Sequence, residues 1–379
     1  MSHEWDDGEV KTRLAILGAT GSIGTQTLDV VRAHPDRLTV TLLAARGSDP
    51  VALDALAHSL GARGVVEERD GAAAVLDAVC ADDVDLVVVG VPGFAALRPT
   101  LAALAAGKRV ALATKEVLVV AGHLVRRYVP EGAGERLRPI DSEHCALWQC
   151  LLGEPRDAVT RVTLTASGGP FRELPLASLA SVTPDAALRH PTWRMDPKVT
   201  IDSATLANKG FEVVEANRLF DIPFARVGVV IHPESVVHAL VEYADGSVKA
   251  QLADPDMRLP IQYALLAPER PPGPARRLEL DGLELRFKSA DPARYPCLEL
   301  VIEAGRRGGA YAVAVNAADE IAVERFLRGA LRFTDIAREL GRGLDLAARA
   351  GLGDEPELDA IVAFDAEVRR ALGAPAPVA

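Results

Sequence analysis

Cysteine is scarce in this sequence: only Cys80, Cys145, Cys150 and Cys297 occur, none in a CxxC pair or at a Cys/His spacing suited to zinc. A disulfide-stapled scaffold and a structural zinc module are thereby argued against, and a reduced, cytoplasmic setting is expected. Long apolar runs are missing too. None approaches the roughly 20 residues needed to cross a bilayer, and residues 1–11 carry Glu4, Asp6, Asp7 and Glu9 where a signal core would be apolar. Basic charge is also in deficit, with 42 Lys and Arg against 53 Asp and Glu and a formal net charge of -11. That balance opposes general attraction to nucleic acid or an anionic membrane, so neither is expected as a partner. A local basic pocket for one phosphate stays compatible with it.

What is present describes a packed enzyme. A chain of 379 residues exceeds what one core usually organises, and 49% hydrophobic with 25% charged residues is the balance of a globular protein. Apolar β-rich runs at residues 14–17, 38–43, 85–89 and 110–113 alternate with helix-like segments. This order predicts an α/β fold opening on a doubly wound, Rossmann-like parallel sheet, its strands apolar on both faces because helices cover both. Runs at 159–165 and 227–231, then a hairpin over 236–252 turning at Asp245-Gly246, predict a second, α+β domain. Residues 268–274 are proline-rich, and hairpin material is expected to resume over 278–287. Helical periodicity over 317–326 and 359–372 predicts a small C-terminal helical bundle. The expected domains are 1–148, 149–288 with a lid loop near 188–198, and 289–379.

After the first strand, Gly18, Gly21 and Gly24 run straight into a helix whose apolar positions include Leu28 and Val31. A strand, glycine turn and helix start bring backbone N–H groups up to a pyrophosphate, although the same glycines also serve to pack a helix on a sheet. At the end of the second strand, where an NAD-binding chain would place a carboxylate, Ala45, Arg46 and Gly47 stand instead. The guanidinium suits the 2′-phosphate of NADP, with a solvated loop arginine as the plainer reading.

Asp141 and Glu143 lie two apart in what reads as an extended segment, so both could face one ion. Hard oxygen donors without thiolates point to Mg²⁺ or Mn²⁺, though such a pair is also common on ordinary surfaces. Residues 201–212 gather Ser203, Asn208 and Lys209, donors able to clamp a phosphate dianion, in a segment that also suits a helix start capped by Asp202 or Ser203. Ser167 sits in a second glycine-rich turn. His190, Trp193 and Met195 occupy a polar stretch between turn residues, suited to a lid or to core cover.

Taken together, Gly18 to Gly24, Lys115-Glu116, Asp141 to His144, Ser167 to Phe171, His190 to Met195, Asp202 to Glu212, His232 to Val236, Pro255 to Arg258 and Tyr295 to Leu298 resemble the 1-deoxy-D-xylulose-5-phosphate reductoisomerase family over nearly the whole chain. The resemblance implies a V-shaped homodimer subunit that isomerises a sugar phosphate and reduces the resulting aldehyde with NADPH. It adds Glu212 to Asp141 and Glu143 as metal ligands. It assigns the phosphate to Ser167, Ser203, Asn208 and Lys209, the sugar oxygens to Ser142 and Lys115, and the lid to His190 and Trp193. It further implies cofactor contacts from Thr20, Ser22 and Ile23 within the glycine turn, from Ala45, Arg46 and Gly47, and from Thr114, Glu116 and Asp196. The sequence departs from the family pattern at Thr114, where Asn is usual, at Cys145, and at Asp196-Pro197, which replaces a Gly-containing lid sequence. Other readings are an NADP-linked reductase of homoserine-dehydrogenase-like plan, which would not need the acidic set, and an idle NADP-binding protein, which could lose it.

Overall fold

The computed structural model describes residues 11–47 and 49–373. The acidic stretch at residues 4–9 and Ser48 lie outside the described residues. Six strands form the first sheet: β1 (Thr12–Leu17), β2 (Leu38–Ala45), β3 (Arg63–Val66), β4 (Leu86–Val89), β5 (Arg109–Leu112) and β6 (Leu137–Pro139). All are parallel, in the order β3-β2-β1-β4-β5-β6. The order reverses between β1 and β4, which is where an open α/β sheet presents its crevice. β4 is buried at every position, as its unbroken Leu-Val-Val-Val run requires. β3 and β6 are not visible as apolar runs. β3 is short and β6 contains Arg138, whose buried guanidinium donates to the Ala264 carbonyl at 2.9 Å.

The second sheet contains β7 (Val159–Ala166), β8 (Val227–Ile231), β9 (Val237–Tyr243), β10 (Val248–Leu252) and β11 (Lys288–Ser289), in the order β10-β9-β7-β8-β11. Only β7 and β8 run parallel. The expected hairpin turns at Asp245-Gly246, with the Asp245 carboxylate accepting from the Ser247 N–H at 2.9 Å. The second expected hairpin, over 278–287, does not form. Its apolar residues lack a face to cover: Leu280 is 68% exposed, and the segment stays irregular until the two-residue β11 pairs with β8. The boundary expected after residue 148 falls inside the helix Ser142–Leu151, which follows β6 and packs on β9 and β10.

The C-terminal region is helical, with Pro296–Arg307, Gly309–Leu327, Ile336–Ala347 and Leu358–Ala371. Helix Gly309–Leu327 is apolar almost all round and buried along most of its length, so its neighbours wrap it as a central rod.

Two of the three motif glycines are needed for packing. Gly18 adopts φ +78°, and a Cβ there would stand 2.7 Å from the Gly90 carbonyl oxygen. A Cβ on Gly24 would stand 2.5 Å from the Ala19 Cα, which fixes how closely the first helix lies on the turn. Gly21 has more room, its nearest atom being 3.3 Å away. Gly24→Ala is therefore expected to cost about 1–3 kcal/mol, the range typical of overpacking. Gly21→Ala should cost clearly less, as read from urea unfolding midpoints of the two variants.

Candidate active site

Four neighbouring strands of the first sheet end at one cleft. Gly21 to Ile23 follow β1, Gly90 and Pro92 follow β4, Thr114 to Glu116 follow β5, and Asp141 to Glu143 follow β6; all of them line a cavity of about 250 Å³. Ligands in this fold class bind at such carboxyl ends, beside the reversal in strand order. The facing wall comes from the second sheet and the segments around it, including Ser167 at the end of β7, His238 on β9, and Trp193 to Asp196.

The acidic set converges. Asp141, Glu143 and Glu212 each offer a carboxylate oxygen, and these lie within 4.8 Å of one another. The expected reason was alternation along an extended segment; the actual reason differs. Asp141 is the N-cap of helix Ser142–Leu151, accepting from the Glu143 N–H at 3.3 Å, and Glu143 sits in the first turn. Capping geometry, not strand alternation, brings the pair together. Glu212 arrives from helix Ala207–Phe220.

Two ammonium groups offset this charge. Lys115 Nζ lies 2.5 Å from Asp141 Oδ2 and 3.0 Å from Glu212 Oε1, and Lys209 Nζ lies 3.2 Å from Glu143 Oε1 while also pairing with Glu212. Asn208 donates to Glu212 as well. Burial alone would raise the Asp141 carboxyl, yet Lys115 and His144 hold it well below the carboxylate range. Glu143 shows the opposite outcome: burial, with Glu212 and Asp141 close by, pushes it up to about 7 despite Lys209. The trio thus lacks full charge compensation from the protein. Its hard oxygen donors, gathered within 4.8 Å of one another at the cleft, fit a divalent cation.

His144 joins the two ligand-bearing helices and was not anticipated. Its Nδ1 is 3.1 Å from Asp141 Oδ1 and its Nε2 donates to the Glu212 carbonyl oxygen at 2.9 Å. Burial disfavours its charge, but Glu215 at 3.2 Å and Asp141 raise it to about 9. The signal was available: His144 follows Asp141 by three residues and Glu215 follows Glu212 by three, the spacing of neighbours on a helix face.

A second cluster is built from hydroxyls. Ser167 Oγ is 2.9 Å from His190 Nε2 and 3.4 Å from Ser203 Oγ, and Ser203 Oγ is 3.2 Å from the same ring nitrogen. The backbone N–H groups of Thr192 and Trp193 both donate to His190 Nδ1, at 3.2 and 2.9 Å. Nδ1 is therefore an acceptor, so the neutral ring carries its proton on Nε2, facing the two serines. Burial and the nearby Arg172 lower His190 to about 4, in keeping with that neutral form. Trp193 stands 6.1 Å from the His238 ring, over the cavity.

The helix bearing Ser203 does not start at Asp202 or Ser203. It runs Pro197–Thr205 with Asp196 as N-cap, whose carboxylate accepts from the Lys198 N–H, and it is broken from Ala207–Phe220 by Leu206 at φ 57°. Proline at the first helical position explains the earlier start.

On the cofactor side, the helix Ser22–Ala33 begins at Gly21 with no side-chain cap and no acidic residue in its first turn. Its free N–H groups open toward the cleft, which suits a pyrophosphate. Gly21, Ser22, Ile23, Thr114, Glu116 and Asp196 line the cavity; Gly18, Thr20, Gly24, Ala45, Arg46 and Gly47 do not. Arg46 is exposed, 3.6 Å from Glu68. Thr114 donates its hydroxyl to the Val91 carbonyl at 2.5 Å, and Glu116 pairs with Lys198 at 3.0 Å.

Family models match at residues 14–73 and 48–122 (1-deoxy-D-xylulose 5-phosphate reductoisomerase), 137–220 (its C-terminal domain) and 252–371 (DXP reductoisomerase C-terminal domain). The 1-deoxy-D-xylulose 5-phosphate reductoisomerase of Moorella thermoacetica is 47% identical over 380 residues, covering 95% of this chain and 97% of its own. That of Thermomicrobium roseum is 48% identical over 370 residues, 93% and 94% of the two chains. A crystal structure of DOX-P reductoisomerase in complex with NADPH, fosmidomycin and magnesium superposes with a TM-score of 0.87 at 38% identity, over 95% of this chain and 97% of that one. The Zymomonas mobilis enzyme in complex with NADPH gives 0.86 at 39% identity, over 96% and 98%. With 47% identity across almost its full length, this chain belongs to the 1-deoxy-D-xylulose 5-phosphate reductoisomerase family.

Proposed function

We propose that this chain converts 1-deoxy-D-xylulose 5-phosphate to 2-C-methyl-D-erythritol 4-phosphate, by metal-dependent rearrangement and NADPH-dependent reduction, in non-mevalonate isoprenoid biosynthesis. The observation that carries the reading is the meeting, in one cleft, of three carboxylates within 4.8 Å, an uncapped helix N-terminus and a hydroxyl-histidine cluster. Neither an idle cofactor-binding protein nor a simple reductase has need of all three.

Asp141, Glu143 and Glu212 would hold Mg²⁺ or Mn²⁺, which supplies Lewis acidity toward the sugar's carbonyl and hydroxyl oxygens, while NADPH supplies the hydride. Lys115 keeps Asp141 ionised and offers a donor to the sugar oxygens, while the Ser142 hydroxyl, which donates to Glu143 at 2.8 Å, accepts from a sugar hydroxyl. His190, through the Nε2 proton its backbone contacts enforce, joins Ser167 and Ser203 in donating to the phosphate, and Asn208 and Lys209 add to that side. Trp193 covers the cavity and excludes water. On the cofactor side, Gly21 to Ile23 present N–H groups to the pyrophosphate, and Gly18 and Gly24 hold that turn in shape around Thr20. Arg46, between Ala45 and Gly47, meets the 2′-phosphate. Its exposed contact with Glu68 is of a kind worth about 0–1 kcal/mol, so a phosphate dianion would displace it.

Among the described residues no helix is long and apolar enough to cross a membrane. A homodimer and a cytoplasmic setting complete the proposal, on the strength of the family resemblance and the paucity of cysteine.

Purified protein is expected to oxidise NADPH, followed at 340 nm, only with both a divalent cation and 1-deoxy-D-xylulose 5-phosphate. A chelator should abolish turnover and added Mg²⁺ or Mn²⁺ restore it; chelator-resistant turnover would refute the metal assignment. Glu212→Gln should retain NADPH affinity, measured by nucleotide fluorescence, yet lose at least the roughly 10–100-fold in activity typical of damage around a metal site. Equal loss of NADPH binding in this variant would place Glu212 elsewhere.

A further inference from the structure

At the edge of the cleft, one ionic cluster centres on a lysine that the proposed function leaves without a role. Lys198, in the first turn of helix Pro197–Thr205, places its ammonium 2.6 Å from Asp202, 3.0 Å from Glu116 and 3.1 Å from Asp319. It also lies over the Phe211 ring at 5.0 Å. Its three carboxylate partners come from three regions: Asp202 from the same helix, Glu116 from the residue after Lys115, and Asp319 from the central C-terminal helix Gly309–Leu327. Among the described residues Asp202 Oδ1 and Asp319 Oδ1 have no hydrogen-bond partner, and Asp319 Oδ2 has only the Lys198 ammonium beside it. Burial raises both of these carboxyls, so the single ammonium is what keeps the cluster together.

The next residue on the C-terminal helix grips the other wall. Glu320 accepts from the Phe94 N–H at 3.2 Å, just beyond the cleft-lining Pro92, and is held in turn by Arg369 at 2.6 Å. Adjacent residues of one helix therefore reach both sides of the cleft: Glu320 directly, Asp319 only through Lys198.

We propose that Lys198 is a positioning residue: its ammonium fastens the helix bearing Ser203 to Glu116 and Asp319, so that the C-terminal helices set where the phosphate-binding wall stands. The role rests on the function proposed above. It gives the C-terminal region a part in substrate affinity and not merely in bracing.

The test compares the full-length native enzyme with Lys198→Met and Asp319→Ala. Asp319→Ala leaves Lys198 paired with Glu116 and Asp202, so it should fold even where Lys198→Met, which strands three buried carboxylates, does not. The expected result for Asp319→Ala, which leaves the Lys198–Glu116 pair in place, is a KM for 1-deoxy-D-xylulose 5-phosphate raised on the order of tenfold, equivalent to about 1.4 kcal/mol, with the KM for NADPH unchanged. A fall in melting temperature with both KM values unchanged would mean a purely structural cluster and overturn the proposal. So would a matched rise in both KM values, since the link would then not be particular to the phosphate wall. Failure of the native enzyme to turn over would remove the functional reading and this role with it, whereas an active native enzyme with unshifted variants removes the role alone.

Discussion

Mutual repulsion among Asp141, Glu143 and Glu212 is the constraint that the rest of the cleft answers. Two unit charges at 4.8 Å repel by about 3–4 kcal/mol at an effective dielectric near 20, and the trio contains three such pairs. Lys115 and Lys209 offset most of this, each touching two of the three carboxylates. Counted with these two lysines alone the trio is one negative, His144 beside Asp141 aside, and the repulsion shows at Glu143, pushed up to about 7. A divalent cation would reverse the balance to one positive charge. That is the sign a phosphorylated substrate requires, so the carboxylates that repel one another would, with a cation among them, make the site attractive to an anion.

The break at Leu206 gives this charge set a neighbour. Ser203 and Glu212 are nine residues apart, which in one continuous helix is about two and a half turns and would point them to opposite faces. Leu206 at φ 57° ends one helix and starts the next at a new angle, so Ser203 can join Ser167 and His190 while Glu212 joins Asp141. A left-handed conformation costs a non-glycine residue roughly 1–2 kcal/mol. Leu206 is buried, and its packing in the small core with Ala166, Ile231, Tyr295 and Leu298 offsets that cost.

Much of this was legible in the sequence, for reasons that also mark where reading stopped. The strands β1, β2, β4 and β5 are apolar runs because helices cover both faces, whereas β6 hides behind a buried arginine whose partner, the Ala264 carbonyl, is 126 residues away. Asp141 and Glu143 were found as a pair for the wrong geometric reason, because capping and strand alternation both bring residues two apart to one side. Glu212 could not be attached by spacing at all; only the family motif did so. The start of helix Pro197–Thr205 was missed although Asp196-Pro197 is an N-cap followed by a proline suited to the first helical position. Lys198 and Asp319 lie 121 residues apart, and no local pattern marks an ion pair across that distance.

The departures from the family pattern at Thr114 and Asp196 each make a contact within the protein. Thr114 spends its hydroxyl on the Val91 carbonyl, which ties the loop after β5 to the loop after β4. The one hydroxyl proton is thereby committed, and the Thr114 oxygen keeps only its acceptor lone pairs for any further partner. Asp196 likewise turns inward on the fold: where a glycine would leave the helix start loose, its carboxylate caps Pro197–Thr205 and thereby steadies the turn that presents Lys198. Both residues line the cavity and at the same time make contacts within the protein. They stiffen the joints between the cleft walls without touching a metal-facing carboxylate or a hydroxyl of the Ser167, His190 and Ser203 cluster.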